Sequence, residues 1–209
     1  MGQVELAHRF ILEAFARTGR SPSLADIQRQ FELPTEDDAL ILLEELQGRG
    51  LIHRRPGDSS VTHAYPFSNV ATKHRVRISG GPEVFAMCAI DALGIPFMLN
   101  RNATISSACE QCGRDISVEI ANKSVVSSTP AGMFVWVGQV TGGCVPANDL
   151  CPDLNFFCAA GELDTWRTAR DGREGTILTL DEAVITARRS FEHLLSTSAL
   201  QLPTSDEGA

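Results

Sequence analysis

The chain has 209 residues, 43% of them hydrophobic and 21% charged, with a formal net charge of -8. That composition fits a folded globular protein with one good core or two small ones. It weighs against non-specific nucleic-acid binding, which runs on phosphate neutralisation. No apolar run approaches the roughly 18 residues that a membrane-spanning helix needs, so no membrane partner is expected. Glu5, His8 and Arg9 interrupt the apolar stretch of the N-terminal segment MGQVELAHRFILEAF. A signal peptide is therefore not expected, and the protein is read as cytoplasmic.

Residues 3–17 carry Leu6, Phe10, Ile11, Ala14 and Phe15 on one stripe, which predicts an amphipathic helix. A loop follows, then a short helix over SLADIQRQF with Ser23 as its expected N-cap. A third helix is expected after Thr35, with acids in its first turn and Leu40, Leu43 and Leu46 on the apolar face. LIHRRPGDSSVTHAYPF then reads as strand, Pro-Gly turn, strand. Three helices and a hairpin are the order of a winged helix-turn-helix domain, expected over residues 1–68. Its would-be recognition helix carries five acids in the ten residues after Thr35 and no Lys or Arg until Arg49. A major-groove helix needs cations and amides, so DNA is not the expected partner.

A second domain is expected over residues 69–200, followed by a disordered tail over 201–209. Val76 and Ile78 alternate with Arg75 and Arg77, as on a half-exposed strand. VFAMCAIDALGIPFML, residues 84–99, is apolar except for Cys88 and Asp91. Read as a helix that stops near Gly94 and Pro96, it places thiol and carboxylate on one face. ATISSAC, ISVEI and GMFVWVGQV are strand-like. LNFFCAAGELDTWRTAR passes from a strand into a helix with Asp164 as the expected cap. LDEAVITARRSFEHLLS is a terminal amphipathic helix, with Ala183, Ala187, Phe191 and Leu194 on its stripe.

The six cysteines are Cys88, Cys109, Cys112, Cys144, Cys151 and Cys158. In a cytosolic chain they read as metal ligands, catalytic groups or buried thiols rather than disulfides. Cys109 and Cys112 form a CxxC that fits half of a structural zinc site, with no second close pair to complete it. Cys151 stands on a loop entering the apolar run LNFF, where reactive groups are common. Cys158, inside FFCAA, reads as a core filler. Cys144 reads either as loop or as ligand. From spacing alone two readings of Cys88 and Asp91 stay open: a functional pair, or a buried thiol with a solvated carboxylate at a helix end.

FAMCAIDALGIPFML, ISSAC, CPDLNFFCA and the downstream DTW resemble, in that order, the bacterial organomercurial (alkylmercury) lyases. The resemblance runs from about residue 3 to residue 197 and is densest over 84–109 and 151–191. It implies that the chain cleaves the carbon–mercury bond of an organomercurial by protonolysis. The family's CxxD helix falls on Cys88 and Asp91, and its second cysteine falls on Cys151, five residues before Phe156. Cys109 falls on a family cysteine outside the chemistry. The resemblance requires no organic cofactor, since mercury enters with the substrate and leaves as Hg(II). Small cellular thiols, or a mercuric reductase, are the implied acceptors of that ion. Pro152 stands where the best-known lyases have a second, adjacent cysteine, and Cys112, Cys144 and WVGQVTGG have no clear counterpart there. The chain thus looks like a divergent branch.

The residue types suit the reaction. Soft thiolates bind Hg(II) best. Breaking an inert C–Hg bond needs electron density on mercury and a proton on carbon; two thiolates give the first and a carboxylic acid the second. The alternative is a non-catalytic soft-metal protein or metal-responsive regulator, for which Asp91 has no use. The expected architecture is α+β: an N-terminal winged-helix-like helical domain packed on a mixed, mainly antiparallel sheet with flanking helices.

Overall fold

A computed structural model describes residues 2–55, 57–139, 151–170 and 174–195. Cys144, Asn148, Asp149 and the 201–209 tail lie outside the described residues. The fold is α+β. Three helices come first: α1 (Gln3–Thr18), α2 (Leu24–Gln30) and α3 (Glu36–Gly48). Ser23 and Thr35 cap α2 and α3, each in a reciprocal capping box with the acid three residues on, Asp26 and Asp38. The buried face of α3 is Ala39, Leu42, Leu43 and Leu46, so Leu42 rather than Leu40 faces inward.

Strands β1 (Ile52–Arg54), β2 (Val61–Ala64), β3 (Phe67–Ser68), β4 (Arg75–Ile78) and β5 (Glu83–Ala86) follow. After α4 (Ala89–Leu99) come β6 (Ala103–Ala108), β7 (Asp115–Ala121) and β8 (Ser124–Thr129). These eight strands form one antiparallel sheet in the order β1-β2-β3-β5-β4-β6-β7-β8. The sheet runs without a break past residue 68, because β3 pairs with β5. A second antiparallel sheet is built from β9 (Phe134–Gly138), β10 (Leu154–Phe157) and β11 (Gly175–Thr179), in the order β10-β9-β11. Helices α5 (Ala160–Thr168) and α6 (Leu180–Phe191) complete the described chain.

Helix α4 is the centre of the molecule. It packs on β4, β5 and β6 of the large sheet, on β10 of the small one, and on α6. Ala89 through Met98 are all buried. A helix that is apolar all round needs such an enclosed place.

Three expectations for this region are corrected. Residues 83–86 form β5, and the helix begins only at Ala89, with Cys88 as its N-cap in extended conformation. An apolar run serves a buried strand as well as a buried helix, so periodicity could not separate the two. The helix also continues through Gly94 and Pro96 to Leu99. Burial against five elements outweighs the hydrogen bond that proline removes. Asp164 lies inside α5, whose N-cap is Ala159 without a side-chain cap. The chain enters α5 directly from β10, leaving no room for an Asp-capped turn.

Gly94 is required by a close approach. A Cβ there would stand 2.2 Å from the Phe191 ring on α6. Gly94→Ala therefore prises α4 from α6 and is expected to cost roughly 1–3 kcal/mol, read as a lower midpoint in urea unfolding.

Candidate active site

The chain brings two thiols and one carboxyl together from distant segments. The β5 strand delivers Cys88 to the N-cap of α4, where its sulfur accepts the Asp91 backbone N–H at 3.3 Å. A side chain that accepts an N–H of the first turn is what any N-cap does; here the acceptor is sulfur. Asp91, one turn along, is only 2% exposed. Cys151 opens a single 3₁₀ turn, Cys151–Asp153, that leads into β10. Its thiol donates to Asp91 Oδ2 at 3.7 Å. The two sulfurs and a carboxylate oxygen all lie within 4.8 Å of one another, and all three residues are buried. Of the two readings of Cys88 and Asp91, the solvated carboxylate is thus ruled out.

Sequence reasoning missed a fourth residue. The Tyr65 hydroxyl is 2.8 Å from Cys151 Sγ. Phe67 of β3 pairs with Ala86 of β5, and continuing that antiparallel register brings Tyr65 toward Cys88. Tyr65 is the chain's sole tyrosine. That was the available signal, but nothing local linked it to a cysteine 86 residues away.

The electrostatics follow from burial. Desolvation raises the Asp91 carboxyl to about 7, against the downward pull of the thiols of Cys88 and Cys151. Burial also pushes the Cys88 thiol well above its ordinary value, and the nearby Cys151 and Asp91 add to it. The Tyr65 hydroxyl is raised too, first by burial and then by its bond to Cys151. At neutral pH the site thus holds a protonated thiol at Cys88 and a carboxyl that can gain or lose a proton.

These groups line a cavity of about 390 Å³, whose walls include Ile90, Val137, Leu154 and Phe191. That size suits a small ligand, and the walls suit an apolar one. A larger cleft of about 680 Å³ lies among Arg9, Lys123, Arg188 and Glu192 and contains no thiol. Phe97, Phe156 and Phe157 are fully buried core residues away from the cavity wall, as is Ile95. Trp136 and Trp166 are core as well, packed edge-to-face 6.0 Å apart.

The sequence profile of the alkylmercury lyases (MerB) matches residues 67–192, more than half of the chain. The chain belongs to the alkylmercury lyase family. It is 24% identical over 119 residues to the alkylmercury lyase of Staphylococcus epidermidis, covering 57% of this chain and 54% of that protein. It is 24% identical over 114 residues to the Bacillus cereus alkylmercury lyase, covering 54% and 51%. The chain thus spans about half the length of the curated relatives it matches. The crystal structure of the mercury-bound form of MerB2 shares the fold, with a TM-score of 0.79 at 22% identity over 94% of this chain and 93% of that one.

The remaining described cysteines form a second group. Cys109, Cys112 and Cys158 also place their sulfurs within 4.8 Å of one another. Cys158 is buried, as a core filler would be, yet its sulfur is 3.5 Å from Cys112 Sγ. The expected CxxC therefore has a third thiol partner, supplied by the end of β10 rather than by a second close pair in sequence.

Proposed function

We propose that the chain is an organomercurial lyase that splits a C–Hg bond by protonolysis, with Cys88 and Cys151 as mercury ligands and Asp91 as the proton carrier. The observation that carries this is a buried carboxyl, poised near neutral pH, between two thiols on an apolar cavity. A site meant only to hold a soft ion gains nothing from such a carboxyl.

The organomercurial arrives as R–Hg–SR′. The Cys88 thiol exchanges with the small thiol, giving Cys88–S–Hg–R and releasing R′SH. Asp91, as carboxylate, takes the Cys151 proton across the 3.7 Å contact. The Cys151 thiolate then binds mercury, which pushes electron density toward the carbon. Asp91 returns the proton to that carbon, R–H leaves, and Hg(II) stays bridged between the two sulfurs. A bridging ion with metal–sulfur bonds of about 2.3 Å holds two opposed sulfurs roughly 4.6 Å apart, compatible with the spacing here. Small thiols or a partner protein then remove Hg(II).

The test is headspace gas chromatography of the reduced protein with phenylmercury and excess small thiol. Benzene released over many turnovers is the expected result. No benzene, with stoichiometric retention of the mercurial, overturns the lyase reading and leaves a soft-metal binding protein.

Tyr65 is a positioning residue in this scheme. Its hydroxyl donates to the Cys151 sulfur as that sulfur becomes a thiolate, a charge-assisted bond. Tyr65→Phe is expected to lower kcat/KM about tenfold or more, the worth of one hydrogen bond to a charged group. Capture of the mercurial by Cys88 is unchanged. A matching loss in capture would show a packing role instead.

A further inference from the structure

We propose that Cys109, Cys112 and Cys158 form a second soft-metal site that holds one Hg(II) ion by three thiolates. The three sulfurs come from two separate segments. Cys109 and Cys112 sit on the turn after β6, closed by the Gly113 N–H bonding the Cys109 carbonyl at 3.0 Å, with Gly113 at φ 72. Cys158 follows the last residue of β10. The two segments are tied together, since the Glu110 N–H bonds the Phe156 carbonyl at 2.9 Å and the Cys158 N–H donates to Cys109 Sγ at 3.4 Å. The convergence is therefore built into the backbone.

Three thiolates about 2.3 Å from a shared ion stand roughly 4 Å from one another. The observed sulfurs are compatible with that value: 3.5 Å separates those of Cys112 and Cys158, and all three lie within 4.8 Å of one another. The donor set is sulfur alone. The turn's carboxylate, Glu110, is engaged by Lys73. Pure sulfur selects soft ions over magnesium, calcium or manganese. Three sulfurs suit Hg(II). Cys112 is exposed while Cys109 and Cys158 are buried, so an ion enters and leaves by exchange at Cys112.

Cys151 and Cys158 flank the same strand, β10, which puts the two thiol sites on the order of 20 Å apart by strand and 3₁₀ rise. If the cleavage reading holds, its product ion has a second soft site on the same chain. The present proposal does not rest on that reading, because Hg(II) can be offered directly.

The experiment uses the reduced full chain carrying Cys88→Ser and Cys151→Ser, loaded with Hg(II) against excess small monothiol and then desalted. Mercury per chain is measured by mass spectrometry, and the sulfurs around it are counted by X-ray absorption. One Hg(II) with three sulfurs is expected, and adding Cys112→Ser is expected to cut retention at least tenfold. No retained mercury, a two-sulfur ion, retention that Cys112→Ser leaves unchanged, or zinc that co-purifies on these sulfurs and resists Hg(II) would each overturn the proposal. The count of three sulfurs stands even if Cys112→Ser fails to fold. Benzene release by Cys112→Ser in the otherwise native chain is expected to be unchanged, so loss of cleavage and loss of this site are separately visible.

Discussion

Asp91→Asn is expected to bind phenylmercury and release almost no benzene. The amide keeps the size of the side chain, and the Asp91 backbone N–H to Cys88 is untouched. It has no proton to carry from Cys151 to carbon. Losing a positioned proton carrier costs about 10²- to 10⁴-fold, so single-turnover hydrocarbon release is expected to fall by at least about 10²-fold. Mercurial retention, counted by mass spectrometry, stays at one per chain. Full hydrocarbon release by this variant would remove Asp91 from the mechanism. In the parent chain the carboxylate form accepts the Cys151 proton, so kcat/KM is expected to fall as pH drops through about 7.

The same variant has a stability signature. The Asp91 carboxyl is raised in the folded chain from 3.8 to about 7. Folding therefore favours its neutral form, and that stabilisation is fully present below pH 3.8 and lost as pH rises through about 7. The gap between those values converts to roughly 4 kcal/mol at full expression. Asp91→Asn is neutral at every pH. It is expected to unfold at a higher urea concentration than the parent chain at pH 8, and at nearly the same concentration at pH 4. Equal shifts at both pH values would mean that Asp91 is not held in a desolvating site.

Why Asp91 was legible in the sequence, and Tyr65 was not, is a matter of range. Cys88 and Asp91 are three residues apart, and that short spacing flagged the pair, although N-cap geometry rather than a shared helix face brings them together. Cys151 needed the family resemblance, because no local rule links a loop thiol to a carboxyl 60 residues away. Tyr65 and Cys158 depend on strand register and on a turn meeting a strand end, neither of which a single sequence displays. The amphipathic helices were plain for the opposite reason. Ala183, Ala187 and Phe191 recur at helical spacing and are all buried in α6.

The failures share a cause as well. The strand β8 reads SVVSST, with no buried residue and an exposed face on either side. It pairs at the edge of the large sheet through backbone hydrogen bonds, so its side chains carry no period-2 signal. The strand β11, also solvated, escaped in the same way. Pro96 inside α4 misled because local propensity was weighed without the burial that overrides it.

Cys88→Ser and Cys151→Ser are each expected to abolish benzene release, but at different steps. Oxygen is a poor ligand for Hg(II) where sulfur is a good one. Without Cys88 the mercurial loses its first thiol, and retention against excess monothiol is expected to fall together with cleavage. Without Cys151 capture at Cys88 persists, since that sulfur sits at the α4 N-cap independently of β10. The second thiolate is missing, so electron density is not pushed onto mercury, and the proton that Asp91 would deliver is no longer supplied by a thiol. Cys151→Ser is therefore expected to hold phenylmercury intact, one per chain, with the phenyl group still attached on mass spectrometry. Neither change should unfold the chain, because serine replaces a buried thiol nearly isosterically and can still accept the Asp91 N–H at position 88. Benzene release at the parent rate by either variant, in a chain with native circular dichroism, would take that cysteine out of the reaction. Identical behaviour of the two would overturn the order in which the sulfurs engage mercury.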